Sequence, residues 1–229
     1  MQIPKGALHP LTLVTEEAVN ILAKQGFSVA LGPELEDEWH NFDALNVPAD
    51  HPARDMQDTF WIKGQEGKVM RTHTSPVQIR YMQSHTPPFA IVVPGKVFRN
   101  EATDATHEMQ FHQLEGLVVG ENITVEHLKG TLLTFFKELF GESADIRLRP
   151  SFFPFVEPGF EVDVKVGEKW LEVCGAGMVH PNVFKNVEYD ATKVTGFAFG
   201  MGIDRLAIIK YGVKDIRNFY QGDLRLNQF

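Results

Sequence analysis

Two arginine-bearing segments constrain most of what this 229-residue chain can fold into. The first reads Gly95-Lys96-Val97-Phe98-Arg99-Asn100-Glu101, passes through Thr106-His107-Glu108 and returns as Phe111-His112-Gln113-Leu114-Glu115. The second reads Gly196-Phe197-Ala198-Phe199-Gly200-Met201-Gly202-Ile203-Asp204-Arg205. One is an arginine and an acidic residue on a strand, a loop, and a strand coming back. The other is a glycine-rich strand entering a helix through an arginine. A guanidinium is permanently charged and grips phosphate as a bidentate fork. Positions without side chains let a nucleotide lie against the backbone. Together the two segments can hold a nucleotide triphosphate.

The flanking pattern predicts the frame. His9-Pro10 opens a helix with Leu11, Val14, Ala18, Ile21 and Leu22 at helical spacing, and Gly26 ends it. A strand is expected over 27–31 before Gly32-Pro33, and an irregular segment with a short helix over 41–61. Arg71 to Pro76 reads as a strand end feeding a helix, with Thr74 or Ser75 as cap and Pro76 at the first helical position. Phe89–Val93 reads as a strand, Pro94-Gly95 as a turn, and Lys96–Glu101 as another strand. Thr124 caps an amphipathic helix carrying Val125, Leu128, Leu132, Phe135, Phe136 and Leu139, closed by Gly141. From residue 145 short strands dominate until a helix over Arg205–Tyr211. Adjacent strands with few helices between them imply an α+β domain built on an antiparallel sheet flanked by helices. With no repeats or low-complexity linkers, residues 1–229 read as one domain.

Charge and cysteine usage narrow the functional classes. The net charge of −8 and the lack of a Lys/Arg cluster are a poor footprint for a surface that grips nucleic acid unaided. No apolar run approaches the roughly 20 residues that span a bilayer, and no signal peptide opens the chain. The single cysteine, Cys174, excludes an internal disulfide and suits a reducing compartment, so the cytoplasm is expected.

Arg99 and Glu101 share one strand face, and alone they would read as a solvated ion pair. Arg205 at a helix start is better explained by a nucleotide than by capping, since a helix N-terminus disfavours cations. Gly200-x-Gly202 alone would equally suit a strand packed tightly on a helix. On the returning strand, Phe111, Gln113 and Glu115 fall on one face. A glutamine beside a glutamate suits an α-ammonium group, although an isolated strand would more often present them to solvent. In Phe152-Phe153-Pro154-Phe155-Val156-Glu157-Pro158-Gly159, the rings of Phe153 and Phe155 point to one side and suit an aromatic substrate edge-to-face, or they are core. His73, His107 and His112 fit no common zinc spacing, and Cys174 reads as a packed residue rather than a nucleophile.

These segments resemble motifs two and three of class II aminoacyl-tRNA synthetases. The aromatic Phe152–Gly159 stretch narrows the resemblance to the catalytic α chains of bacterial-type phenylalanyl-tRNA synthetases. Asn41-Phe42-Asp43-Ala44-Leu45-Asn46, His51-Pro52-Ala53-Arg54-Asp55 and Met178-Val179-His180-Pro181 match as well. The resemblance implies ATP-dependent, Mg²⁺-dependent activation of L-phenylalanine, with Arg99 on the α-phosphate, Glu101 near the ATP and His107 on the terminal phosphates. Phe111 and Arg205 would sandwich adenine beside Gly200 and Gly202. His73, Ser75, Gln113, Glu115, Phe153, Phe155 and Ala198 would line the amino-acid pocket, Ala198 at its floor. Glu157 is implied as a Mg²⁺ ligand shared with a β chain, and Glu172 is a weaker second candidate. Gly32 to Glu36 is similar to the motif-one strand of the dimer interface. The family's N-terminal coiled coil and the anticodon-binding domain of mitochondrial relatives have no counterpart here, so transfer to tRNA(Phe) is expected to be weak without them. The expected assembly is a homodimer or an α₂β₂ complex. An amino-acid-binding paralogue, or an assembly module inactive without a β chain, is the alternative.

Overall fold

The computed structural model describes residues 6–55, 58–223 and 225–226. Helix α1 (Pro10–Lys24) starts where a proline needs no N–H, and the His9 Nδ1 accepts from Leu11 N at 3.3 Å. The expected stripe of Leu11, Val14, Ala18, Ile21 and Leu22 is buried, and Gly26 takes the positive φ of 92° that ends the helix. Strand β1 (Ser28–Val29) is shorter than expected, and β2 (Leu35–Asp37) leads into the one-turn helix α2 (Glu38–Asn41). Two 3₁₀ turns follow, Asp43–Leu45 and Pro52–Arg54. Then come β3 (Lys68–Met70), α3 (Pro76–Ser84), β4 (Phe89–Phe98), β5 (Gln110–Gly120) and α4 (Val125–Phe140). The chain continues through β6 (Asp145–Phe153), β7 (Val156–Val166), β8 (Lys169–Val179), α5 (Pro181–Asn186), β9 (Thr195–Gly202) and α6 (Ile203–Tyr211).

Seven strands form one sheet in the order β1-β4-β5-β9-β8-β7-β6, antiparallel except for the parallel β1–β4 pair; β2 and β3 form a separate ribbon. The expected α+β architecture with an antiparallel sheet is what the chain adopts. Helices α1, α4 and α6 cover one face. Alternation along each strand assigns Phe197, Phe199 and Met201 to a core that includes Leu22, Leu132 and Phe136. Each fully buried side chain of this size contributes roughly 1.5–3 kcal/mol of hydrophobic stabilisation. Gly116 has to be a glycine, because a Cβ there would sit 2.2 Å from the Phe199 ring. The other face carries Ile91, Val93, Leu117 and Ala198 against Val77, Ile79 and Met82 of α3 and Val183 and Phe184 of α5. On this side of the sheet a cavity of about 320 Å³ is left between these elements.

Four expectations about the elements are corrected. Pro94-Gly95 is no turn, because β4 runs unbroken through it, pairing Pro94 with Leu114 and Gly95 with Gln113. On its other side β4 is paired only at Ile91 and Val92, so Pro94 lies where a missing donor costs no ladder bond. Gly95 is required there by Arg71, whose guanidinium would lie 2.1 Å from a Cβ. Strand β4 ends at Phe98, leaving Arg99 and Glu101 in the loop. Helix α6 begins two residues before Arg205, with Gly202 as its N-cap. The strands after residue 145 are long hairpin arms of eight to eleven residues.

Candidate active site

The polar end of the site is built on Glu115. This carboxylate is 4% exposed and accepts from Thr74 N at 3.1 Å, Ser75 Oγ at 2.5 Å and Gln78 Nε2 at 2.7 Å. Burial pushes its pKa up, and the three donors hold it back only in part. The hydroxyl of Ser75 makes no capping bond to α3. Ser75 is thus the N-cap residue by position, as expected, while its hydroxyl serves the Glu115 carboxylate. Gln78, one helical turn on, was not singled out from the sequence; its i+3 spacing from Ser75 is the signal that could have found it. On β9, Gly200 lies opposite Glu115, and a Cβ there would come within 3.1 Å of Glu115 Cγ and 3.5 Å of Gln113 Nε2. The glycine clears space for the two polar side chains. Gln113 Oε1 is buried without a hydrogen-bond partner, as is His73 Nδ1. Removal from water, with the Arg99 charge next in weight, lowers the His73 pKa to about 3, so this imidazole is neutral near pH 7.

The same cavity, about 320 Å³ in volume, continues into an apolar end. It is lined by Phe153 and Phe155, Val156, Val179, Val183 and Leu45, with Ala198 and Phe199 from β9. Pro154 and Phe155 make a two-residue turn between β6 and β7. This puts both rings on one wall with centroids 6.1 Å apart and planes at 20°. The two rings are near-parallel to each other. Gly175 lets the Phe153 ring settle on β8, a Cβ there falling 3.0 Å from its edge. Leu45, Val156, Gly175, Val179 and Val183 were not foreseen as lining residues, since an apolar side chain in a strand or turn carries no mark of which side it faces.

Arg99 joins this cavity to a second one of about 340 Å³, lined by Ala53, Asp58, Thr72, His73 and Glu101. The guanidinium donates to Thr72 O at 3.3 Å and lies 5.0 Å over the Phe111 ring. Glu101 thus lines the second cavity and not the first. Phe111, Gly202 and Arg205 border neither; Arg205 is exposed, donating to Glu172 O at 3.4 Å. His107 stands in the exposed loop before β5, paired with Asp104 at 3.0 Å, which raises the pKa of the imidazole. A backbone bond from Ile216 N to Ala105 O at 3.0 Å ties that loop to the C-terminal 3₁₀ turn Ile216–Phe219. Beneath the loop, buried Asp204 accepts from His112 N at 2.8 Å and from the Tyr220 hydroxyl, which fastens α6 to β5.

Glu157 lies outside the cavity beyond the aromatic turn, its side chain 75% exposed and 3.2 Å from His180 Nε2. Among the described residues, the one grouping of metal-ligand type is Glu36, Asp37 and His40, and there Arg80 already holds Glu36 at 2.5 and 2.8 Å. Cys174 is buried and its thiol pKa is pushed up by that burial, so it is no thiolate nucleophile.

The family model described as tRNA synthetases class II core domain (F) matches residues 1–229. The phenylalanine–tRNA ligase alpha subunit of Dehalococcoides mccartyi is 52% identical over 244 residues, covering 99% of this chain and 70% of the relative. That of Deinococcus radiodurans is also 52% identical with the same coverage, and that of Synechocystis sp. is 52% identical over 227 residues, covering 99% and 68%. In fold, the chain resembles the pyrrolysyl-tRNA synthetase of Desulfitobacterium hafniense, with a TM-score of 0.73 at 19% identity over 93% of this chain and 74% of that one.

Proposed function

Because this chain belongs to the class II tRNA synthetase core family, we propose that it activates L-phenylalanine with ATP to the aminoacyl-adenylate and, with its partners, charges tRNA(Phe). The observation that carries the reading is one cavity with an aromatic-lined apolar end, an unpartnered acceptor on Gln113 beside a buried carboxylate, and Arg99 where that cavity meets the next.

Each part has a task in that reaction. The benzyl group lies between the Phe153–Phe155 wall and Ala198. The ammonium group donates to Gln113 Oε1 and is balanced by Glu115. Neutral His73 adds no repulsion to a cation. The substrate carboxylate then attacks the α-phosphate, whose growing negative charge Arg99 meets with a fixed bidentate fork. No covalent enzyme intermediate is required, and positioning with electrostatics supplies the acceleration. Phe111 and Arg205 remain the proposed adenine contacts, with Glu101, Gly202 and His107 along the phosphates.

Mg²⁺ is bound in such reactions by one or two carboxylates together with substrate phosphates, whose charge it neutralises. The exposed carboxylate of Glu172, on the residue whose carbonyl Arg205 contacts, is of that donor type, with one oxygen already taken by Arg149 Nη2 at 3.1 Å. Glu157 alone, with a histidine as neighbour, would need ligands from a second chain. With a net charge of −8, transfer to tRNA is proposed to rely on surfaces supplied elsewhere in an α₂β₂ or dimeric assembly. No helix among the described residues is long and apolar enough to cross a membrane.

The test is phenylalanine-dependent ATP–pyrophosphate exchange, with Arg99→Ala as control. Exchange that depends on phenylalanine and vanishes in the control supports the reading. Exchange absent from the chain, and still absent when a β chain is added, refutes it.

A further inference from the structure

The apolar end of the cavity is made of three pieces that are distant in sequence: the 3₁₀ turn ending at Leu45, the aromatic turn at Pro154, and the start of α5 before Val183. One side chain touches all three. Asn46 Nδ2 donates to Pro154 O at 2.7 Å, while Asn46 Oδ1 accepts from Asn182 Nδ2 at 3.0 Å. Asn46 itself closes the first turn in the left-handed region, φ 61° and ψ 24°, which asparagine tolerates better than other residues with a Cβ. Its neighbours Leu45 and Val183, one residue beyond Asn182, line the cavity, and Pro154 separates the two wall rings.

We propose that Asn46 is a specificity-positioning residue, a strut whose two hydrogen bonds set the spacing between the Phe153–Phe155 wall and the opposite walls of the amino-acid pocket. This rests on the reading of that pocket as one for phenylalanine. The carbonyl of Phe155 is fixed separately by His180 N at 3.0 Å, so the turn survives loss of the strut but with Pro154 and its flanking rings free to shift. A two-residue turn carries both rings, so a small displacement of its tip changes the width of the whole aromatic wall. Neither Asn46 nor Asn182 lines the cavity, so the effect on substrate is transmitted through Leu45, Val183 and the rings.

Two variants separate this role from general support. Asn46→Gly keeps the left-handed turn and removes both bonds. Asn46→Asp keeps the acceptor facing Asn182 but places an oxygen against the Pro154 carbonyl. Both are expected to raise the KM for phenylalanine by about five-fold or more, the worth of one net hydrogen bond. Both should also shrink the preference for phenylalanine over tyrosine, with the KM for ATP within about two-fold of wild type by the same measure. Phenylalanine KM and preference unchanged in both variants, or an ATP KM rising in parallel, would overturn the proposal. Hydrogen–deuterium exchange over residues 152–157 tests the strut without catalysis. Faster exchange there in Asn46→Gly supports it, and identical exchange refutes it. Absence of phenylalanine exchange in the wild-type chain with its β partner counts against the proposed function instead, and the amide exchange then decides the strut alone.

Discussion

Replacing Glu115 by glutamine preserves its shape and tests the polar end of the site at its anchor. The wild-type carboxylate receives three donors: Thr74 N on Oε1, and Ser75 Oγ and Gln78 Nε2 on Oε2. An amide oxygen can keep the last two, but the amide NH₂ then faces the Thr74 N–H. A buried donor left unmatched costs about 1–3 kcal/mol. At about 2–4 °C per kcal/mol for a chain of this size, Glu115→Gln should lower the melting temperature by about 2–12 °C. The loss of balancing charge should raise the KM for phenylalanine by about 10- to 150-fold, the equivalent of a charge-assisted bond of about 1.5–3 kcal/mol, with the KM for ATP little changed. The pH dependence has a definite sign. Burial raises the folded-state pKa of Glu115 above its ordinary 4.5, so its ionisation disfavours the folded state. Wild-type stability gained from this group is present at low pH and lost as pH rises from 4.5 through the raised pKa, whereas glutamine does not titrate. The stability gap between the two proteins should narrow over that window. Phenylalanine binding should weaken in the wild type as pH falls through the same window, and this acid limb should be missing in the variant. Thermal denaturation and exchange kinetics across pH measure all three. A variant with wild-type melting temperature and phenylalanine KM would refute the claim that Glu115 organises the site.

Ala198→Gly removes the methyl proposed for the cavity floor and should admit para-substituted phenylalanines, at a cost of about 0.5–1 kcal/mol for a glycine inside a strand; exchange assays with 4-chlorophenylalanine that show no gain would remove Ala198 from the floor. An apolar pocket rejects an added hydroxyl by only about a hundredfold, so this chain should activate tyrosine detectably, and an undetectable tyrosine signal beside strong phenylalanine exchange would contradict that. Gly116→Ala places a Cβ 2.2 Å from the Phe199 ring on the helix-covered face. Overpacking of about 1–3 kcal/mol should lower the melting temperature by about 2–12 °C, read by thermal denaturation; an unchanged melting temperature would mean that the Phe199 ring can move aside.

What could be read from the sequence was local. The apolar stripes of α1 and α4 and their glycine stops needed only helical spacing, and both helices are where that spacing put them. The alternation of Phe111, Gln113 and Glu115 survives because β5 is continuous. Local reading fell short where a distant group overrode a local rule. Pro94-Gly95 has turn chemistry, but the Arg71 guanidinium over Gly95 and the open edge beside Pro94 keep the strand straight. Ser75 is the cap by position, but a carboxylate forty residues away in sequence claims its hydroxyl. Gln78 and Asn46 were passed over for the same reason. Gln78 carried only its i+3 spacing from Ser75 as a local sign, and nothing within a few residues of Asn46 announces the Pro154 carbonyl that gives it a role.

The two faces of the sheet explain why the candidate site was more legible than its supports. On the helix-covered face, side chains interdigitate at interior density, and any apolar residue of fitting size satisfies the demand there. Toward the opposite face, the strands place Gln113 and Glu115 in positions where an apolar residue would serve stability better, since burying a carboxylate raises its pKa and an unmatched amide oxygen goes without a bond. A sequence that keeps such residues on a strand marks the place where packing has been given up for chemistry. The supports carry no such mark, because Asn46 in its left-handed turn is what an asparagine does in many turns. Only the chain's return through Pro154 and Asn182 makes that turn part of the pocket.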